Sequence, residues 1–558
     1  MSIFAKFSLR LFLSILVTAN ITACQTDKPK IKKQLPLPQD NLIQVYFNHN
    51  QAAEYIEPYR QKQRAGDNLE QIIIDGINSA KFSIDVAVQE LRLPNIAKAL
   101  VDRHKAGVKV RVILENIYTR PFRNLTDAEL AKMTEREGDR YQELRELLDI
   151  DKNNIITPEE INQRDAVVLL KNAGIPIIDD TADGSKGSGL MHHKFVLIDG
   201  KNVIITSANF TMSDIHGDFR YSNSLGNANN LIKIDNSELT KIFTQEFNIM
   251  WGDGPGNKSD SKFGINKPVR SPQQIKLLNS TITVQFSPTS KTIPWQQSSN
   301  GLIGKNLNTA TKLINIALFV FSEQRLADIL QTRHQQGVEI KALIDANFAY
   351  RSYSEALDMM GVAIPNESCQ YEKANHPWQK SINTVGVPLL SKGDLLHHKF
   401  GIIDDRTIIT GSHNWTVAAD NTNDETVIII ENPTVTAHFN REFERLYQNA
   451  NLGITPSLQQ KIQMRQKLCP QTQKTPIASP GKITENNPNL TKAEITTKVN
   501  LNTASQAELE ALPGVGPKLV QRIIAARQKK PFTSLEDLNR VSGVGPKMLE
   551  KLRDRVTW

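Results

Sequence analysis

The chain has 558 residues, 39% of them hydrophobic, which is enough for several domains with sizeable cores. Its formal net charge of +8 permits an anionic partner without proving one. The three cysteines, Cys24, Cys369 and Cys469, exclude a disulfide framework and a cysteine-rich zinc site.

The chain opens with basic Lys6 and Arg10, then the apolar run LFLSILV, Leu11 to Val17, which is too short to span a bilayer. The stretch ITAC, ending at Cys24, follows. It resembles a bacterial lipoprotein signal, so residues 1–24 are expected to be a signal region with Cys24 as the lipidated residue. An ordinary secretory signal or an uncleaved anchor are the alternatives. Residues 25–41 are polar, basic and proline-bearing, and read as a tether. Such a chain would sit at the bacterial cell envelope, lipid-anchored and extracytoplasmic. Export would also let Cys369 and Cys469 oxidise, with their pairing left open.

A repeat organises the next four hundred or so residues. Asn78 to Asn116 matches Asn308 to Asn347. Each copy reads helix end, apolar strand, amphipathic helix, glycine stop, apolar strand. The helix rests on apolar spacing such as Ile96, Leu100 and Val101, and Gly107 and Gly337 fall at the expected C-caps. The second strands, VKVRVIL and VEIKALI, are rich in branched residues. Alternating strand and helix predicts an α/β layered domain, present twice.

The first copy carries about 25 more residues between its second strand and the motif that follows. Within them lies DIDKNNIITPEE, Asp149 to Glu160. It resembles an EF-hand calcium loop, with Asp149, Asp151 and Asn153 as side-chain ligands, Ile155 through its carbonyl, Thr157 through water and Glu160 as bidentate carboxylate. Ile156 would pin the loop, and YQELRELL reads as the entering helix. Position six is Asn154 instead of glycine, though asparagine tolerates the left-handed conformation better than most residues. An acidic helix-turn-helix without metal is the alternative. Calcium, if bound, is expected to be structural.

Two motifs then share one internal spacing. His192, Lys194, Asp199, Ser207 and Asn209 in the first match His397, Lys399, Asp404, Ser412 and Asn414 in the second. KFVLID and KFGIID read as strands, so histidine and lysine, two apart, share a face. An ammonium and an imidazole on one face suit a phosphate: one neutralises charge, the other attacks or moves protons. The serines and asparagines are expected to donate to phosphoryl oxygens.

Over roughly residues 42 to 450 the sequence resembles the phospholipase D superfamily, whose signature is this His-x-Lys-x4-Asp pattern followed by Gly-Ser-x-Asn. Thr206 stands where the family usually has glycine, and distortion without loss of the site is expected. The resemblance implies two pseudo-symmetric α/β halves whose motifs meet in one site, so that one chain suffices and a monomer is expected. It implies no cofactor for catalysis. One histidine forms a phosphohistidine, while the other protonates the leaving oxygen and then activates water. Family members place an acid after each motif, close to the opposite histidine. Here the second half has Glu425 and the first has Asn229, so only one acid is expected. A carboxylate raises imidazole basicity, which makes His192 the expected nucleophile and His397 the general acid and base.

Domain bounds follow: a first phospholipase D-like domain over 42–260 with the EF-hand-like insert at about 140–165, a second over 275–455, and a linker over 456–498. Residues 499–558 contain LPGVGPK and VSGVGPK, each between two helical patterns. They resemble tandem helix-hairpin-helix motifs, especially the DNA-binding module of competence proteins, and predict a small all-α domain. Gly514, Gly516, Gly543 and Gly545 allow tight hairpins whose N–H groups face a phosphate, with Lys518 and Lys547 beside them. Ten Lys/Arg against six Asp/Glu from Val499 to Trp558 favour backbone contact over base reading. The expected function is an exported phosphodiesterase that cuts DNA. The alternatives are a phospholipase D acting on membrane phospholipids and a non-enzymatic DNA-capture lipoprotein.

Overall fold

The structure is a computed structural model that describes residues 34–133, 135–185, 189–469 and 499–558, apart from short gaps at 505–508, 510–511, 513–514, 516, 546–547, 550–551 and 554–555. Cys24 and the signal region lie outside the described residues, as do Gly514, Gly516 and Lys547.

The first repeat builds a seven-stranded sheet. Its order is Ile43–Phe47, Asn230–Asp235, Asn202–Thr206, Lys194–Ile198, Ser83–Val88, Lys109–Leu114 and Ile177–Asp179. The last three run parallel, and the helix Pro94–Lys105 makes the first crossover between them. Proline at its first turn and Gly107 just past its end, at φ +89°, fix its limits. Its buried Ile96, Ala97 and Leu100 pack, with Ile73 and Ile77 of Leu69–Ser79, on one face of the sheet. The helix Ser237–Trp251 covers the other face through Phe243 and Phe247. A strand such as Lys194–Ile198 is buried at every position because it lies inside a sheet covered on both faces.

The second repeat gives a nine-stranded sheet: Gln273–Leu277, Ser280–Ser287, Glu425–Glu431, Thr407–Gly411, Lys399–Ile403, Leu313–Leu318, Glu339–Ile344, Val385–Val387 and Asn451–Leu452. From Ser280–Ser287 to Val385–Val387 its order repeats that of the first sheet. The halves share one core. Phe286 of the second half packs on Phe243 of the first, and Phe47 of the first on Phe439 of the second, both at 5.1 Å between ring centroids. Phe195 and Phe400 complete the two equivalent clusters.

Several expected boundaries move. The tether ends earlier than residue 41, because His438 Nε2 meets the Pro38 carbonyl at 3.0 Å and Asn432 donates to Asp40 at 3.0 Å. The stretch between 260 and 275 is no free connection either. Lys267 is buried in ion pairs with Glu246 and, at 2.7 Å, with Asp424. The linker does not begin at 456: a helix, Pro456–Leu468, is capped by Thr455, packs Leu458 into the second half and ends at a Cys369–Cys469 disulfide. Thr455 followed by proline is an N-cap signal that composition alone concealed.

The C-terminal segment has its own core, which includes Leu501, Leu512, Val520, Ile523, Phe532, Leu538 and Leu552. The helix Pro517–Lys529, which carries Lys518, is its longest element among the described residues. The expected all-α module also contains a parallel strand pair, Val499–Asn500 with Val556–Thr557, which ties its two ends together. Gly543 takes φ +97°, a conformation open to glycine, and Gly545 O accepts from Met548 N and Leu549 N as the next helix begins.

Candidate active site

Each motif is delivered by the other half. Met191 bridges Asp424 in parallel register, and the His192 N–H donates to the Asp424 carbonyl at 2.9 Å. Symmetrically, Ala228 bridges Leu396 and the His397 N–H donates to the Ala228 carbonyl at 3.1 Å. The residues before one motif therefore pair with those after the other, and both histidines reach one place.

There, His192 Nδ1 lies 2.7 Å from Glu425 Oε2, the cross-pairing the sequence predicted. Glu425 is fully buried, and it also accepts from Ser412 Oγ at 2.7 Å and Asn423 at 3.2 Å. At the matching place His397 Nδ1 meets Asn229 Oδ1 at 3.0 Å, and Ser207 Oγ donates to Asn229 at 2.7 Å. The serines were expected to face phosphate. They instead hold the groups behind the histidines and also accept from Asn230 N and Thr426 N.

The expectation of a single acid is overturned. Asp214 Oδ1 lies 3.5 Å from His397 Nδ1, and Asp214 is itself fixed by the N–H of Asn209 and by Asn227 Nδ2. Its carboxylate arrives from the short helix Met212–Ile215, at the position Ala419 occupies in the second half, so comparing the two segments after the motifs alone misses it. The only sequence signal is this asymmetry between SDI and AAD.

Asp199 and Asp404 are not part of the reacting centre. Each sits past the far end of its strand, at φ +52° and +50°. Asp199 accepts from the N–H groups of Lys81, Phe82 and Ser83, and Asp404 from those of Thr311, Lys312 and Leu313. They lock the helix-to-strand turn of each repeat and so position the strand bearing histidine and lysine. Burial works against their ionised form, but these N–H donors win and hold both carboxyls below the usual range.

Lys194 Nζ donates to the His192 carbonyl at 2.8 Å and to Gln89 Oε1 at 3.3 Å. Lys399 Nζ donates to the His397 carbonyl at 2.6 Å. Both ammonium groups are buried. Burial lowers Lys194 to about 8, and burial together with Lys194 takes Lys399 well below its ordinary value. Burial, then the two lysines, hold both His192 and His397 well below the usual imidazole range. The site thus concentrates positive charge that an anion would relieve. Asn209 and Asn414 each leave a buried amide oxygen without a partner among the described residues; turned over, each amide would donate to a phosphoryl oxygen. Thr206 fits without loss, because its hydroxyl donates to the Asn230 carbonyl at 2.6 Å. At the equivalent Gly411, φ +131°, a Cβ would lie 2.1 Å from the Thr426 carbonyl oxygen.

Away from this centre, Asp149, Asp151 and Glu160 bring carboxylate oxygens within 4.8 Å of one another between the helices Glu135–Leu148 and Pro158–Arg164. Asn154 adopts φ +65°, as its place in such a loop demands, and Ile156 is buried beside Phe122 and Leu148. Asn153 Oδ1 accepts from the Ile155 N–H at 2.7 Å. Glu160 closes a capping box with Thr157 and accepts from the Ile150 N–H at 2.8 Å. Hard oxygen donors in this arrangement fit calcium.

Two α/β halves, each contributing a buried histidine and lysine to one centre, define a phospholipase D fold. By sequence, residues 73–251 and 303–447 match the family described as cardiolipin synthase, PLD-like domain, and the chain belongs to that family. Catalysis in this family is metal-independent. Residues 495–557 match the helix-hairpin-helix motif. A mitochondrial cardiolipin hydrolase of Canis lupus familiaris is 29% identical over 161 residues, 28% of this chain and 54% of that protein. A phospholipase D of Rickettsia bellii is 26% identical over 156 residues, 28% of this chain and 64% of that protein. The chain thus spans little more than half the length of the curated relatives it matches. The solved structure of a phosphatidylserine synthase from Haemophilus influenzae Rd KW20 aligns over 78% of this chain and 93% of that one, at 14% identity and a TM-score of 0.48.

Proposed function

We propose that the protein is a phosphodiesterase that cleaves DNA at the bacterial cell envelope through a phosphohistidine. The observation that carries the reading is the pairing of two complete His-Lys motifs at one buried centre in a chain that also bears a helix-hairpin-helix segment. His192 is the nucleophile. Glu425 accepts its Nδ1 proton, which leaves the Nε2 lone pair to form the N–P bond while the P–O bond to the leaving group breaks. His397 gives its proton to that leaving oxygen, then takes one from the water that displaces His192 from phosphorus. Lys194, Lys399, Asn209 and Asn414 hold the phosphoryl oxygens as charge moves. A bound anion would favour the protonated forms of Lys399 and His397, which burial and the neighbouring lysines disfavour in the free site.

Gly543, Gly545 and Lys518, with Gly514, Gly516 and Lys547, hold the DNA backbone in this reading. Cys24 carries the lipid anchor, and the Cys369–Cys469 disulfide supports an extracytoplasmic location. Among the described residues no helix is long and apolar enough to cross a membrane. Both motifs lie in one chain, so the protein acts as a monomer. Phospholipid is the second candidate substrate, favoured by the names of the curated relatives.

Purified protein without residues 1–24 decides between the substrates. Plasmid and single-stranded DNA should be cut in the presence of chelator, and phosphatidylcholine vesicles should not. Hydrolysis of the vesicles alone would overturn the DNA reading. Calcium is assigned a structural role through Asp149, Asp151, Asn153, Ile155 and Glu160. Calcium should raise the melting temperature of the protein, and Glu160→Gln, which keeps a capping-box residue, should remove that rise. An identical rise in the variant would rule the loop out.

A further inference from the structure

The scaffold of the site is symmetric, but its walls are not. Gln89 and Phe319 are equivalent: each directly follows its strand, and each donates its N–H to the carbonyl of the histidine next to the motif histidine, His193 at 3.1 Å and His398 at 2.8 Å. Tyr118 and Phe348 are equivalent as well, three residues after Glu115 and three after Asp345. In the first half the wall is polar, and its arginines Arg92 and Arg140 both pair with the buried Glu90, at 3.2 and 3.8 Å. Gln89 is buried against Lys194, and the guanidinium groups of Arg140 and Arg92 lie 5.1 and 6.0 Å from the centre of the Tyr118 ring.

In the second half the wall is apolar. The Phe319 ring stands 4.8 Å from the His397 ring at 68° and 4.7 Å from Phe348 at 70°. Lys399 Nζ lies 5.0 Å over the Phe319 ring. His397 is buried, but both phenylalanines remain part-exposed, so the reacting centre opens on this side past aromatic carbon.

In an in-line displacement the attacking and leaving groups lie on opposite sides of phosphorus. The group protonated by His397 therefore lies beside Phe319. We infer that Phe319 and Phe348 form a leaving-group subsite that stacks a neutral planar ring, so that the preferred leaving alcohol is a nucleoside. The inference rests on the proposed phosphodiesterase mechanism with His397 as acid. An aromatic face accepts any base, which suits cleavage without sequence preference. A quaternary ammonium leaving group fits less well, because Lys399 already occupies the vicinity of that ring with like charge. Base stacking of this kind is worth about tenfold or more in binding.

The test compares two diesters that differ in the leaving alcohol, thymidylyl-thymidine and the methyl ester of thymidine monophosphate, with the full chain and with Phe319→Gln, Phe319→Tyr and Phe348→Leu. Phe319→Gln, which installs the residue the first half uses, should lower kcat/KM for the dinucleotide about tenfold more than for the methyl ester, mainly through KM. Phe348→Leu should act in the same direction, and Phe319→Tyr should keep the wild-type preference. Equal losses on both diesters in all three variants would mean that Phe319 only packs against His397 and would overturn the subsite while leaving the nuclease reading intact. Wild-type turnover of phosphatidylcholine vesicles with neither diester cleaved would overturn both.

Discussion

His192 and His397 look alike in sequence but differ in what stands behind them. A fully buried carboxylate shared with Ser412 backs His192 at 2.7 Å, whereas His397 faces a neutral amide at 3.0 Å with the Asp214 carboxylate at 3.5 Å. In the proposed mechanism the closer carboxylate favours His192 as the nucleophile. With bis(p-nitrophenyl) phosphate, whose leaving group needs little protonation, His397→Ala should keep a burst of nitrophenol and trap phosphoenzyme. His192→Ala should show neither. Glu425→Gln should slow the burst tenfold or more, and label recovered on His397 in the wild-type protein would reverse the two roles. The pH dependence follows from burial. The His192 imidazole is held well below 6.5, so it stays unprotonated, and able to attack, as pH falls through that value. The burst kcat/KM should therefore show no acid limb as pH falls through 6.5, while Lys194, lowered to about 8, sets a limb on the basic side. An acid limb centred at or above 6.5 would contradict the buried, lysine-flanked histidine seen here.

Among the elements, the helix Pro456–Leu468 is the least expected. It has few hydrophobic residues to anchor it, and Leu458 is its one buried side chain. It is further held by Lys461, which donates to the Tyr350 carbonyl at 2.7 Å, by Ile462 against the second-half core, and by the Cys369–Cys469 bond between residues 100 positions apart. Such a closure stabilises the fold mainly by restricting the unfolded chain, by about 2–4 kcal/mol. Cys369→Ser with Cys469→Ser should lower the urea midpoint accordingly, yet leave turnover of a small diester at 25 °C close to wild type, since neither cysteine belongs to the two motifs. A midpoint unchanged in oxidising buffer would show that the bond does not form in solution. The insert between the first half's second strand and its motif is legible for a different reason: ligand spacing in DIDKNN and the apolar Ile156 are local features, carried by a dozen consecutive residues.

At the scale of the molecule, the proposed function assigns cutting and holding to separate segments. Residues 499–558 have their own hydrophobic core, which among the described residues shares none with the clusters of the two halves. Removing Val499–Trp558 should weaken DNA binding and flatten its salt dependence while a small diester is hydrolysed as before. Unchanged affinity and salt slope after the truncation would refute the hairpin segment as the DNA-holding part. The two halves behave differently from that segment, because Phe286 and Phe47 each insert into the other half's aromatic cluster. Neither half can bury its sheet face without its neighbour, so the two are expected to unfold together.

Whatever depends on neighbours along the chain was readable from the sequence: the twofold repeat, the strand that points histidine and lysine the same way, the calcium-like loop and the helix-hairpin-helix motif. Periodicity and ligand spacing are local, and they survive in one dimension. The pairing of Glu425 with His192 was also anticipated, through resemblance to a family in which the acid crosses over. Only the tertiary structure decided the rest. Asp214 reaches His397 across 183 positions because Ala228 pairs with Leu396, and the difference between SDI and AAD, the one local sign of it, does not name its partner. Ser207 and Ser412 turned from substrate to the groups behind the histidines because a buried amide or carboxylate must find donors, and these hydroxyls are the nearest ones. Asp199 and Asp404 moved out of the chemistry for a geometric reason: a five-residue strand carries them to the opposite end from His192 and His397, where three backbone N–H groups await each carboxylate.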